Sequence, residues 1–458
     1  MPVHPPATIA PTPTVAAPPL APSGAGALPR RLGLFATAAF VVGNIIGSGI
    51  FRVPSAVAAD AGSVGAALAV WILGGVVTTC GALAMAELAA MLPRSGGLYV
   101  YLREAFGPAA AFVFGWTALF LTPAGTAGVA LVFAQYVGTL VPLGALGERA
   151  VAAAAVSVLG IAAYRSTRGG AAIQGAATLA KLLGIVVLVA LAFALGDGRA
   201  GAFGAGAPPA GTPAGGGILL ALVAALWSFN GFQDMLNVAG EVRDPGRALP
   251  RALVLGMAAV VLVYLAANLA YLWVLPFAEL RASPVVASAM AARVLGSAGA
   301  ALVSALVIVS TFGTLNGIVV TMPRFFYAMA ADGLLFAPLA RVHPRFGTPH
   351  VAILAYTLCA LLLVWFRSFE QLSAAFVLGL WPFSAAAAAA VLVLRRTRPD
   401  LPRPYRTPGY PFVPLVFVAG VALVLGNAIL ERPASTLLGI VLTLLGVPVY
   451  VVWRRVSR

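Results

Sequence analysis

Lysine occurs once in the 458 residues, cysteine twice and histidine three times, and charged residues make up only 9% of the chain. Each scarcity removes a class of protein. Soluble domains devote about a quarter of their residues to charge. A chain with 9% charged and 61% hydrophobic residues, and a mean hydropathy of +1.00, is therefore not one of them. His4 stands near the start and His343 and His350 share one loop, a scatter that suits no metal ion. Cys80 and Cys359 fall inside apolar runs and read as small core residues rather than a structural disulfide. No group of His, Asp, Glu or Cys gathers at one end of the apolar runs, as a membrane-embedded transferase would need. No metal and no cofactor are implied.

What is there is apolar length. Runs close to the roughly 20 residues that cross a bilayer as helix lie near 33–58, 64–92, 108–141, 149–164, 171–196, 216–239, 250–276, 298–331, 349–366, 370–394, 411–430 and 434–453. They predict an all-α membrane protein with twelve transmembrane helices. The stretch 283–297 is too broken to span and reads as a short extramembrane helix. Residues 1–28, rich in Pro, Ala and Thr, predict a disordered tail; the run that follows lacks a signal-peptide cleavage pattern. The formal net charge of +15 would suit nucleic acid in a soluble protein, but here arginine follows topology. With the N-terminus inside, 20 arginines, among them Arg30, Arg94, Arg243, Arg324, Arg395 and Arg454, fall on the cytoplasmic side. Only 7 lie outside: Arg52, Arg149, Arg199, Arg281, Arg293, Arg367 and Arg432. That is the positive-inside pattern. It predicts a multi-pass protein of the cell membrane with both termini cytoplasmic and no nucleic-acid partner.

Two of the runs are interrupted. Gly43-Asn44-Ile45-Ile46-Gly47-Ser48-Gly49-Ile50-Phe51 puts three glycines and a serine into the first, although glycine inside a helix costs roughly 0.5–1 kcal/mol relative to alanine. Trp227-Ser228-Phe229-Asn230-Gly231-Phe232 breaks the sixth as centrally. Matched breaks five spans apart point to an inverted repeat with a site at the bilayer midplane. Free N–H groups at a half-helix end favour a carboxylate, and free carbonyls favour an ammonium group. One amino acid zwitterion satisfies both. Close helix packing of the small-xxx-small type is the plainer alternative, and a channel suits paired broken helices less well than an occluded site does.

These residues carry a resemblance. Gly43 to Phe51 is similar to the first-helix signature of the amino acid-polyamine-organocation superfamily, and Asn237 to Pro245 with Leu249-Pro250-Arg251-Ala252 resembles the end of its sixth helix. Pro93-Arg94-Ser95-Gly96-Gly97 with Tyr99 and Tyr101 is similar to its loop after helix two, and Asn316-Gly317 with Pro323-Arg324 to its helix eight. The nearest members are the L-type amino acid transporters and their bacterial relatives. The resemblance implies one transporter domain over 29–458 with a LeuT-type five-plus-five inverted repeat. Residues 33–196 form the first repeat, 216–394 the second and 411–453 two additional helices, with helices one and six broken. It implies that the Ser48 hydroxyl and Gly49 amide hold a substrate carboxylate. The carbonyls of Ile45, Trp227 and Asn230 take the ammonium group, and Trp227 closes over the site as a gate. Asn230 and Gln233 with the small Ala124 and Gly125 then shape a pocket for small or medium neutral side chains.

Asp234 and Glu241 follow the second break, but no carboxylate stands at a clear position for a cationic substrate, and Glu241 reads as an anchor for the end of that helix. A cationic amino acid or polyamine antiporter is the alternative. Lys181, the single lysine, lies near the middle of the fifth run, where an ionisable group is costly and functional by default. By resemblance its ammonium group replaces a coupling sodium ion, leaving exchange or proton-coupled symport. The expected partners are the amino acid substrate and the lipid bilayer. The stretch 142–149, which in animal relatives carries a linking cysteine, has none, so no disulfide-linked heavy subunit is expected. The chain is expected as a monomer or non-covalent dimer. Glu87 reads as a helix-packing or gate residue, Arg52 as facing the outer vestibule or simply exposed, and Asn268, Asn316 and Asn427 as interhelical hydrogen-bonding groups.

Overall fold

Backbone groups inside hydrocarbon must be satisfied within the chain, and the apolar runs achieve this as helices. The computed structural model describes residues 32–94, 96–165, 170–196, 198, 216–431 and 433–456. The expected tail over 1–28 and the expected anchoring side chain of Glu241 lie outside the described set. The helices are α1 (Leu34–Ile45), α2 (Gly49–Ala61), α3 (Val64–Met91), α4 (Leu98–Gly138), α5 (Ala145–Arg165), α6 (Gly170–Leu195) and α7 (Gly216–Ser228). A 3-10 segment over Asp234–Glu241 follows. After it come α8 (Pro245–Val274), α9 (Phe277–Ala282), α10 (Val286–Ala331), α11 (His350–Phe366), α12 (Phe369–Thr397), α13 (Phe412–Glu431) and α14 (Pro433–Val456). Among the described residues the one β pairing is a bridge between Leu32 and Val242, where the Arg243 amide donates to the Leu32 carbonyl at 2.8 Å.

Among the described residues eight helices, α3, α4, α5, α6, α8, α10, α12 and α13, are long and apolar enough to cross a membrane. The pair α1 and α2, bent by 43°, passes the same test together and brings the number to nine where the pair is counted as one span. The twelve predicted runs differ from this at α7, α11 and α14. Helix α7 stops after 13 residues because the chain leaves it at Ser228, α11 has only 17 residues, and α14 falls outside the set. The stretch 283–297 holds a short helix that starts at Val286 and is separated from the rest of α10 by a kink at Gly296, whose φ of 71° is not helical. Local signals fix several ends: the Ser63 hydroxyl accepts the Ala66 amide at 3.3 Å at the start of α3, and Ser368 with Gln371 forms a capping box at the start of α12.

Helix α12 lies along α4, α8 along both α3 and α1, and α2 along α7. The interrupted stretches therefore meet inside the bundle, where Ile46, Ile50, Phe229 and Phe232 are buried. The perimeter is apolar: on α6, Leu179, Leu183, Val186 and Val187 are exposed while Lys181 between them is buried. A helix with lipid-facing leucines and an inward ammonium group is ordered by the bilayer on one side and by the core on the other.

Candidate functional site

The first interruption covers Ile46 to Ser48. Ile46 still donates to the Val42 carbonyl at 2.9 Å, but Gly47 turns back to donate to the Ile45 carbonyl, also at 2.9 Å. Helix α2 then starts at Gly49, and the amides of Ser48, Gly49 and Ile50 meet no acceptor among the described residues. Unpaired amides at a helix start are an anion site. At the second interruption Asn230 donates to the Trp227 carbonyl at 3.1 Å, and Gly231 adopts a φ of 116°. The two breaks touch through glycine. A Cβ on Gly49 would fall 2.6 Å from the Ser228 Cα, and a Cβ on Gly231 would fall 2.7 Å from the Asn44 carbonyl oxygen.

Around this contact lies a void of about 530 Å³, lined by Asn44, Ile45, Ser48, Gly49, Trp227 and Asn230, with Asp234, Thr314, Met322 and Phe376 among the others. A second void of about 560 Å³ adjoins it, sharing Thr122, Asn230, Asp234, Met322 and Phe376 and continuing to Leu98, Asn237 and Phe325.

Of the residues expected from the sequence, Ile45, Ser48, Gly49, Gly125, Trp227 and Asn230 line the first void. Gln233 instead lines the second, where its side-chain oxygen accepts the Ser384 hydroxyl at 3.0 Å. Ala124 is buried and lines neither, because adjacent helical residues point about 100° apart. The Ile45 carbonyl already accepts from the Gly47 amide at 2.9 Å and shares the single Tyr264 hydroxyl proton, at 2.9 Å, with the Ser228 carbonyl. Sequence reasoning missed Asn44, Thr314, Phe376 and the wall position of Asp234. A signal existed: Thr122, Gly125 and Val129 on α4, and Thr314, Ile318 and Met322 on α10, recur at helical spacing.

Lys181 donates from Nζ to the carbonyls of Gly43 and Ile46 at 2.9 and 2.8 Å and to the Thr314 hydroxyl at 3.2 Å. These carbonyls are freed by the first interruption, so α6 satisfies what α1 leaves open. Tyr264 ties the breaks together, its hydroxyl lying 2.9 Å from the Ile45 carbonyl and 2.8 Å from that of Ser228. Asn268, expected between helices, instead donates to the Tyr264 carbonyl of its own helix at 2.8 Å, which offers its amide a partner one turn away.

On one side Trp227 lines the void. Its ring stands edge-on to Phe369 and Phe376 at 5.7 and 5.4 Å and lies against Gly128, where a Cβ would come within 3.2 Å. Beyond it Arg52 pairs with Glu370 at 2.5 Å and sits over the Phe369 ring. At the far end of α3, buried Glu87 accepts two hydrogen bonds from Arg395, at 2.9 and 2.7 Å, and the Thr407 amide at 2.7 Å.

The family model described as "Amino acid permease" matches residues 32–451. The serine/threonine exchanger SteT of Bacillus subtilis is 34% identical over 437 residues, covering 92% of this chain and 96% of that protein. The b(0,+)-type amino acid transporter 1 of Mus musculus is 33% identical, with 91% and 86% covered. The large neutral amino acids transporter small subunit 2 of the same species is 34% identical, with 93% and 82% covered.

Proposed function

This chain belongs to the amino acid permease family, a multi-pass membrane transporter rather than an enzyme, and from that premise we propose that it exchanges neutral amino acids across the cell membrane without sodium. The carrying observation is the meeting of the two interruptions around one void, with the amides of Ser48, Gly49 and Ile50 unpaired on one wall and the carbonyl of Asn230 on another. The carboxylate sits on the Ser48 hydroxyl and the Gly49 amide. The ammonium group sits on the carbonyls of Trp227 and Asn230, while that of Ile45 serves mainly to join the breaks through Tyr264. Trp227 excludes water as the gate.

Lys181 supports sodium independence, since its ammonium group holds three oxygens that a monovalent cation would otherwise take. Obligatory exchange is preferred, with proton-coupled symport the other coupling. The proposed frame is twelve spans in a five-plus-five inverted repeat, 33–196 against 216–394, with both termini cytoplasmic, working by alternating access. The frame includes no disulfide-linked heavy subunit, a reading that rests on the absence of cysteine from the stretch 142–149. A second reading, transport of cationic amino acids, is favoured by Asp234, a carboxylate on the wall of the void.

Purified protein in liposomes preloaded with unlabelled amino acid accumulates the labelled neutral counterpart by counterflow. Absence of counterflow across a broad panel contradicts the reading. Uptake into empty vesicles driven by a pH gradient replaces exchange with symport, and a sodium requirement removes the role given to Lys181.

A further inference from the structure

Asp234 begins the 3-10 segment that follows the second interruption, and it is 8% exposed. Among the described residues its carboxylate accepts one hydrogen bond, from the Asn44 amide nitrogen, 3.3 Å from Oδ2, and enters no ion pair. The single lysine is committed elsewhere. A buried carboxylate with one neutral partner is poorly compensated and needs a cation or a proton. Space for one adjoins Asp234, which lines both voids at their junction.

The position suits a substrate side chain. Asn44, which holds Asp234, lines the same void as Ser48 and Gly49. An amino acid with its carboxylate on Ser48 and Gly49 can therefore extend a long side chain, such as that of lysine or arginine, toward Asp234 within one void. The wall between is apolar, made by Ile318, Met322 and Phe376, which matches the methylene stem of a basic side chain.

We propose that Asp234 is a specificity-determining residue that pairs with the charged tip of a basic amino acid, so that the site takes basic as well as neutral amino acids. The proposal rests on the amino acid transport reading and adds the class of side chain.

The test is counterflow of labelled lysine, arginine and alanine into liposomes holding purified full-length protein, for the wild type, Asp234→Asn and Asp234→Glu. The wild type accumulates the basic substrates. Asp234→Asn shifts selectivity against lysine and arginine relative to alanine by about tenfold or more, as loss of a buried charge partner requires, and Asp234→Glu restores the wild-type preference. Alanine counterflow without lysine or arginine counterflow in the wild type overturns this proposal and leaves the transport reading standing. An unchanged selectivity ratio in Asp234→Asn overturns it too. So does alanine uptake that acidifies the lumen only when Asp234 is present, which makes the residue a proton carrier. Failure of every amino acid in the wild type overturns the transport reading and this proposal together.

Discussion

A Cβ placed on Gly49 would stand 2.6 Å from the Cα of Ser228, so the start of α2 and the end of α7 touch backbone to backbone. The complementary contact, Gly231 against the Asn44 carbonyl, locks the same junction from the other side. Two interruptions that each weaken a membrane helix thus support one another, and the void between them is bounded by main-chain groups whose positions cannot drift independently.

Gly49→Ala and Gly231→Ala each force backbone apart. Overpacking of this kind costs about 1–3 kcal/mol, and Gly231 adds the strain of its φ of 116°. Both variants lose at least about tenfold in counterflow, a barrier change of 1.4 kcal/mol, and melt at lower temperature in detergent. Gly47→Ala, which meets only the Thr314 side chain at 3.1 Å, is milder in both measurements.

Lys181→Met strips the Gly43 and Ile46 carbonyls of their donor, at about 1–3 kcal/mol for each buried group left unpaired. Counterflow falls at least about tenfold. Wild-type uptake is the same in sodium and choline buffers; a wild type that needs sodium contradicts the assignment.

Trp227→Phe keeps a flat ring between Phe369 and Phe376, whereas Trp227→Ala forfeits two edge-to-face contacts of about 0.5–1.5 kcal/mol each. The alanine variant shows a raised KM in counterflow and the phenylalanine variant stays near the wild type.

The Arg52 to Glu370 bridge is partly exposed, the Glu370 side chain at 55%. Its contribution to stability is no more than about 1 kcal/mol, so Glu370→Gln barely changes the melting temperature. The Glu87 to Arg395 pair differs: Glu87 is 1% exposed and holds three charge-assisted hydrogen bonds. Arg395→Ala removes two of these bonds while Arg403, 3.8 Å away, and the Thr407 amide remain, and it destabilises the protein by about 1.5–3 kcal/mol, measured by thermal melting in detergent.

The interruptions were legible because glycine, serine and asparagine stand out against an apolar run, and Lys181 because it is the single lysine. The helices were legible for the same reason, although the break after Ser228 leaves α7 shorter than its run suggested. The pocket walls were not. Phe376 reaches the void only because α12 turns a particular face inward, and nothing local distinguishes that face from its lipid-facing neighbours. The engagement of the Ile45 carbonyl depends on Tyr264, 219 residues away. Asp234 was visible as a charge, but its place at the junction of two voids depends on how the chain turns at Gly231.

The central claim is that the paired interruptions hold both ends of an amino acid zwitterion. It is tested most directly by competition in sodium-free counterflow, setting a transported amino acid against its decarboxylated amine and its deaminated carboxylic acid. The account predicts that the parent amino acid competes and that neither single-ended analogue does at the same concentration. An amine or a carboxylic acid that competes as well as the parent contradicts it.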